Sequence, residues 1–369
     1  MPDLDFAGLA EEARLAFRPR FDEVVRRSRR RRWWLAGLAT CAVALAGGGV
    51  AAGLAGGTAS APEETLTRRH ALTAVSVGDV GHLYQLVQTC EAGRCRERFA
   101  VSGDRGARWT LREPPGRADP RTREILVAVN MTVVVVGREG GSTTHWVTTD
   151  AGRTWRAGAV ENRPLTDRDR IAYVDGSRVV TVSMGLGRMG ATPTPVPLHR
   201  ARPFYQQGGT WGLFGYAEEG PVEGRELSIA WGAAGSRDWE VQPLPADAGL
   251  LDLASPDGVD VYALYGARDG ALQMWVSRDG GREWARGALV PGGYAAGTLL
   301  ATRDGTLWLS NPDGVLRSDD RGQTFTAAGF GSGVVTFDAA VDLYTASTSG
   351  PFPRVWVSVD GRSWAEAPR

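Results

Sequence analysis

Ser277-Arg278-Asp279-Gly280-Gly281-Arg282-Glu283-Trp284 recurs along the chain. Ser102-Gly103-Asp104-Arg105-Gly106-Ala107-Arg108-Trp109 has the same layout, and so has Thr148-Thr149-Asp150-Ala151-Gly152-Arg153-Thr154-Trp155. Ser318-Asp319-Asp320-Arg321-Gly322-Gln323-Thr324-Phe325 closes on Phe instead of Trp, and Ser358-Val359-Asp360-Gly361-Arg362-Ser363-Trp364 is one residue shorter. The shared pattern is Ser/Thr-x-Asp-x-Gly-x-x-Trp. A short hydroxyl and a carboxylate two residues on can bond the backbone of a tight turn. Gly takes a positive φ without steric cost. The closing aromatic begins the next strand and carries a large apolar area into a core. Each copy therefore reads as the turn between two antiparallel strands, with its Asp holding a hairpin.

Spacing sets the architecture. A degenerate copy ends at Trp239, spaced from Trp231 as Trp364 is from Trp356, with Ala233 and Gly235 in place of Ser and Asp. The closing aromatics Trp109, Trp155, Trp239, Trp284, Phe325 and Trp364 are then 46, 84, 45, 41 and 39 residues apart. The long interval is two repeats, so one repeat between residues 156 and 197 lacks the turn. Repeats of about 40 to 45 residues fit four-stranded propeller blades, and the total is seven.

The pattern resembles the Asp-box of bacterial-neuraminidase-repeat β-propellers, a superfamily that includes sialidases, sortilin-type receptors and the photosystem-assembly-factor type of propeller. The resemblance covers residues 70–369. It implies an all-β, seven-bladed β-propeller with the boxes at the blade periphery, away from the ligand face. It does not imply one function, because one fold hosts many.

Formal net charge is zero, which gives no general attraction to nucleic acid. The distribution is uneven. Residues 1–32 hold nine Arg against six acidic groups, and Phe6, Leu9, Ala13 and Phe17 fall at helical spacing before Pro19. Arg26 to Arg32 form a basic run that ends at Trp33-Trp34, and residues 33–57 are uncharged. Twenty-five such residues suffice to cross a bilayer core of ~30 Å. The flanking Arg cluster and paired Trp predict a signal anchor with residues 1–32 as a cytoplasmic basic tail, residues 58–69 as an external linker, and residues 70–369 outside the cell. Cleavage after Ala59-Ser60-Ala61 is the competing reading. The long basic region, the long apolar run and Pro62 favour an uncleaved anchor.

Within the repeats, Thr132–Val136 reads as a central strand buried on both faces, and Asp175-Gly176 as a hairpin turn. Gly185–Pro197 reads as an irregular outer edge or long loop of the boxless blade, since its prolines exclude the helix a dinucleotide loop needs. Cys90 and Cys95 lie between two strands at a spacing that fits a disulfide across a hairpin, which an oxidising compartment allows. Glu64–Arg68 is expected to close the ring as the outer strand of the last blade.

Chemistry is sparsely signalled. His70, His82, His145 and His199 show no ligand spacing, and there is no G-x-S-x-G elbow or P-loop. No cofactor or metal site is expected. A sialidase would need a Tyr nucleophile, an Asp acid and three Arg on the substrate carboxylate, and the F/Y-R-I-P motif of that family is missing. The sequence thus leads to a membrane-anchored extracytoplasmic propeller that binds a protein, peptide or glycan, with no nucleic-acid partner. A sialidase-like hydrolase is the alternative.

Overall fold

The computed structural model describes residues 71–367, except position 80 and the segments 92–93, 117–123, 140–141, 164–165, 167–168, 176–177, 194–197, 208–209, 217–226, 234–238, 246–248, 267–270, 293–297, 331–332, 341–342 and 349–353. The basic tail, the anchor at 33–57 and the linker lie outside the described residues. Among the described residues, no helix is long and apolar enough to cross a membrane.

The chain forms seven four-stranded sheets. Blade one is β1 (Ala71–Val77), β2 (Leu83–Glu91), β3 (Arg94–Ser102) and β4 (Thr110–Arg112). Blade two is β5 (Glu124–Val129), β6 (Thr132–Glu139), β7 (Ser142–Thr148) and β8 (Arg156–Ala157). Blade three takes β9 (Val160–Asn162), β10 (Asp169–Asp175), β11 (Arg178–Ser183) and β12 (Met189–Pro193). Blade four is β13 (His199–Gln207), β14 (Thr210–Tyr216), β15 (Leu227–Ala233) and β16 (Trp239–Pro243). Blade five is β17 (Gly249–Ala254), β18 (Val261–Gly266), β19 (Leu272–Ser277) and β20 (Ala285–Val290). Blade six is β21 (Leu299–Ala301), β22 (Leu307–Asn311), β23 (Gly314–Ser318) and β24 (Thr326–Ala327). Blade seven is β25 (Val335–Ala340), β26 (Leu343–Thr348), β27 (Val355–Ser358) and β28 (Ala365–Glu366).

The inner strands β1, β5, β10, β13, β17, β21 and β25 touch one another in a closed cycle. Several of them carry a β-bulge, at Leu72/Ala74, Ile125/Val127, Ile171/Tyr173 and Leu250/Asp252. A bulge sharpens the local twist, as strands converging on an axis require. Strand two of a blade is covered on both sides, which explains its unbroken apolar runs. In β6, Val133 and Val135 pack towards blade one, whereas Val134 packs towards blade three. In β18, Val261, Ala263 and Tyr265 face blade four, and Tyr262 and Leu264 face blade six.

Blade seven is complete within its own segment. Its outer strand is β28, paired with β27, in the place the expectation gave to Glu64–Arg68, a segment that lies outside the described residues. The last blade meets the first through a shared core in which Val77, Leu83, Val87 and Trp109 pack with Leu343, Val355, Val357 and Ala367. Apolar burial supplies this closure, at about 25 cal/mol per Å².

Blade three departs from the others. Its sheet order is β10-β11-β12-β9, and β9 pairs with β12 in parallel. The turn between β11 and β12 lies against the box side of blade two: Gly185 N–H donates to Thr132 Oγ1 at 3.2 Å, and Gly187 abuts Thr149 and Val147. The inner strand β10 therefore runs opposite to its counterparts. Within the stretch expected as an irregular outer edge or long loop, Met189–Pro193 is instead the third strand, β12, whose first three residues are buried; residues 194–197 lie outside the described residues. The reversal has a topological reason. An ordinary blade enters and leaves on one face because it has four consecutive strands. Blade three has only three consecutive strands, so it must start on the box face to finish where blade four begins.

Asp169 anchors the reversal. Its side chain is fully buried, and it receives Arg163 in a two-pronged ion pair, at 3.0 Å to Oδ2 and 2.5 Å to Oδ1. Thr166 donates its N–H at 2.6 Å and its hydroxyl at 3.1 Å to the same Oδ2.

Candidate functional site

The five recurrent turns share one hydrogen-bond pattern. The hydroxyl of Ser102, Thr148, Ser277, Ser318 or Ser358 accepts the N–H of Gly106, Gly152, Gly281, Gly322 or Gly361 at 2.7 to 2.9 Å. The same hydroxyl donates to Oδ1 of Asp104, Asp150, Asp279, Asp320 or Asp360 at 2.7 to 3.0 Å. That oxygen then accepts N–H groups from the far side of the turn, including Arg108, Thr154, Glu283, Thr324 and Ser363. N–H bonds from Ser363 and Arg362 hold the Asp360 carboxyl down at about 2. Partial burial works to raise Asp150, but bonds from Thr154 and Thr148 outweigh it and bring it to about 2 as well. A carboxylate so occupied has no proton to give near neutral pH.

The turns do more than close hairpins. Each box glycine lies against the preceding blade. A Cβ on Gly281 would stand 2.1 Å from Ile229 Cδ1, on Gly152 2.6 Å from the Phe99 ring, on Gly106 2.8 Å from Ala367 and on Gly361 2.5 Å from Thr302. All four have φ between 72° and 90°. Neighbouring blades also take up the turn carbonyls. Trp231 Nε1 donates to Gly280 O and Trp308 Nε1 to Gly361 O, both at 2.7 Å. The Arg112 guanidinium reaches Ala151 O, and Arg156 reaches Leu186 O in the β11–β12 turn, which takes the place of a box. The box face is thus an inter-blade joint. Trp146, Trp275 and Trp356 likewise pack against the blade before their own.

One joint residue was not singled out in the sequence. The second residue of strand two is aromatic in five blades, as Tyr84, Trp211, Tyr262, Trp308 and Tyr344. The signal that could have found it is an aromatic 17 to 28 residues before the closing aromatic in these five blades, a repeat-phase argument.

Tyr262 belongs to an Arg–Tyr–carboxylate group. Arg278 lies 2.8 Å from the Tyr262 hydroxyl and 2.9 Å from Asp260, and Arg321 lies 3.7 Å from Asp260. This group sits between the box turns of blades five and six, not at the channel. It brings two arginines together, whereas a sialidase needs three.

The channel side is built by the inner strands. Arg202 on β13 and Thr336 on β25 are exposed, and Arg170 on β10 is half-buried. Asp252 on β17 stands within the field of Arg202, yet desolvation between the blades pushes its carboxyl up to about 6. Asp338 on β25 is raised for the same reason. Among the described residues, no group of three or more His, Cys, Asp or Glu side chains is placed to hold a metal ion. Cys90 and Cys95 are opposed in register across the β2–β3 hairpin; their side chains lie outside the described residues.

The chain is a seven-bladed β-propeller, a class that solved structures share. The β-propeller domain of the Trilobed protease from Pyrococcus furiosus matches with a TM-score of 0.50 and 9% identity, over 83% of this chain and 97% of that one. YCF48 bound to D1 peptide gives a TM-score of 0.48 at 14% identity, over 82% and 96%. A lectin from Aleuria aurantia in complex with α-methyl-L-fucoside gives 0.40 at 11%, over 83% and 96%. At such identities the likeness shows the fold alone. No protein-family model and no curated protein matches the chain.

Proposed function

We propose that this propeller is a binding or scaffold module outside the cell, tethered by the apolar segment 33–57 with residues 1–32 in the cytoplasm, and that it engages a protein, peptide or glycan at the inner-strand channel. The carrying observation is where polar groups are spent. The box-face carbonyls and carboxylates are taken up by turn N–H groups and neighbouring blades, whereas Arg202 and Thr336 stand exposed on the inner strands. Exposed cationic and hydroxyl groups around a rigid concave surface suit recognition. The Asp-box resemblance belongs to this reading, and so does a Cys90–Cys95 disulfide, which a location outside the cell would permit.

The test uses the full-length chain in cell membranes. A photo-reactive residue in place of Thr336 should capture a partner from the outside, and the same residue in place of Arg108 on the box face should not. Equal capture from both faces would refute the channel assignment. Alkaline-phosphatase fusions after residue 70 should be active, and inactive fusions would refute the orientation. Turnover of a fluorogenic sialoside by the purified chain, lost in Arg202→Ala, would replace the binding reading with the hydrolase.

A further inference from the structure

Neighbouring blades are joined by the chain itself, with one exception. The joint of blade seven with blade one has no such link: β1 to β4 come from residues 71–112, β25 to β28 come from residues 335–366, and each sheet draws all four strands from its own segment. Parting there stretches no connection, whereas parting at any other joint pulls against the peptide chain.

The polar groups at this joint also differ. Between blades six and seven, Val335 N–H donates to Ser310 Oγ at 2.7 Å, Phe337 N–H to Thr298 Oγ1 at 3.0 Å and Trp308 Nε1 to Gly361 O at 2.7 Å. Between blades seven and one, Val77 N–H donates to Asp338 Oδ2 at 3.0 Å, but Gln85 on β2 is fully buried with neither its amide nitrogen nor its amide oxygen bonded to a protein group. The register puts Gln85 on the surface turned to blade seven. It lies opposite Ala100 and alternates with Leu83 and Val87, and all three belong to the core shared with Leu343, Val355 and Val357. Trp109 in the same core leaves its indole N–H unpaired, although its counterpart Trp284 gives that proton to Gly281 O at 2.9 Å. On the facing surface of blade seven, the buried Thr345 and Ser347 stand opposite Val357 and Val355. A neutral amide enclosed without a partner costs free energy that it recovers when it meets water.

We propose that the ring opens first at the joint between blades one and seven, and that Gln85 is the residue that keeps this joint weak. Opening there gives side access to the inner strands, which the closed ring reaches only along its axis.

Amide exchange on the full-length chain tests this, with three N–H groups that are each bonded across a different joint. Val77 reports on seven–one, Leu299, bonded to Asp252 Oδ2 at 2.6 Å, on five–six, and Val335 on six–seven. Val77 should exchange about tenfold faster than Leu299 and Val335, while amides paired within the sheet of blade one stay protected. Gln85→Met keeps the length of the side chain and removes its polar atoms. It should slow Val77 about tenfold and leave Leu299 and Val335 level. Equal or better protection of Val77 in the unaltered chain would overturn the proposal. So would loss of protection throughout blade one in parallel with Val77, which is fraying of β1. An unchanged or faster Val77 in Gln85→Met would mean that the amide is satisfied in the closed ring, and would overturn it too. If Gln85→Met does not fold, the contrast among the three amides of the unaltered chain still decides. Amide exchange needs no ligand, so the outcome is independent of the binding function.

Discussion

Replacing Asp169 by alanine removes a fully buried carboxylate and leaves Arg163, only 19% exposed, facing the gap. Breaking a buried ion pair from one side costs about 3–5 kcal/mol, because the remaining charge loses its carboxylate where little water can replace it. The Thr166 N–H loses its acceptor as well, worth roughly another 1 kcal/mol where water cannot replace it. The expected loss is therefore about 4–6 kcal/mol, a large share of a typical stability of about 5–15 kcal/mol. Thermal unfolding of the full-length chain, followed by far-ultraviolet circular dichroism, should show Tm lowered by roughly 10 °C or more. Amide exchange should rise first in β10, because Asp169 holds the start of that reversed strand. The double variant Asp169→Leu with Arg163→Met removes both charges and should recover more than half of the loss. A Tm within about 2 °C of the unaltered chain for Asp169→Ala, or no recovery in the double variant, would refute the claim that this ion pair holds blade three in its inverted sense.

Gly281→Ala should cost roughly 2–4 kcal/mol, because φ is 90° and the new Cβ would meet Ile229 Cδ1. Adding Ile229→Val removes the obstructing atom and should restore only the packing part, read from denaturant midpoints. Trp308→Phe loses the bond to Gly361 O and the pyrrole half of a buried indole, for roughly 2–4 kcal/mol, with exchange increased at the blade six–seven joint. Asp150 and Asp360 are held below 3.8, so their contribution is present above about pH 4 and disappears as the pH falls towards 2. Asp150→Asn should flatten the acid-unfolding curve in that low window only, leaving the region around pH 6, where Asp252 titrates, unchanged.

The recurrent turn and its spacing determined the fold class and the number of blades, because a tight turn is local. Its hydroxyl, carboxylate and glycine act within eight residues, and the interval between copies is one blade. Strand two was legible for a similar reason: cover on both sides demands unbroken apolar runs such as Val133–Val135. The reversal of blade three was not legible. It depends on whether Val160–Asn162 pairs with Met189–Ala191, and on Arg163 meeting the fully buried Asp169, which no local pattern encodes. The outer strand of blade seven was expected at Glu64–Arg68, and β28 holds that place; the fit between Val77 and Leu343, far apart in sequence, joins the last blade to the first. The box glycines show the division most plainly. Sequence alone marks Gly281 as a turn residue through its need for positive φ, but only tertiary packing places Ile229 where a Cβ would have to be, since that contact joins residues 52 positions apart.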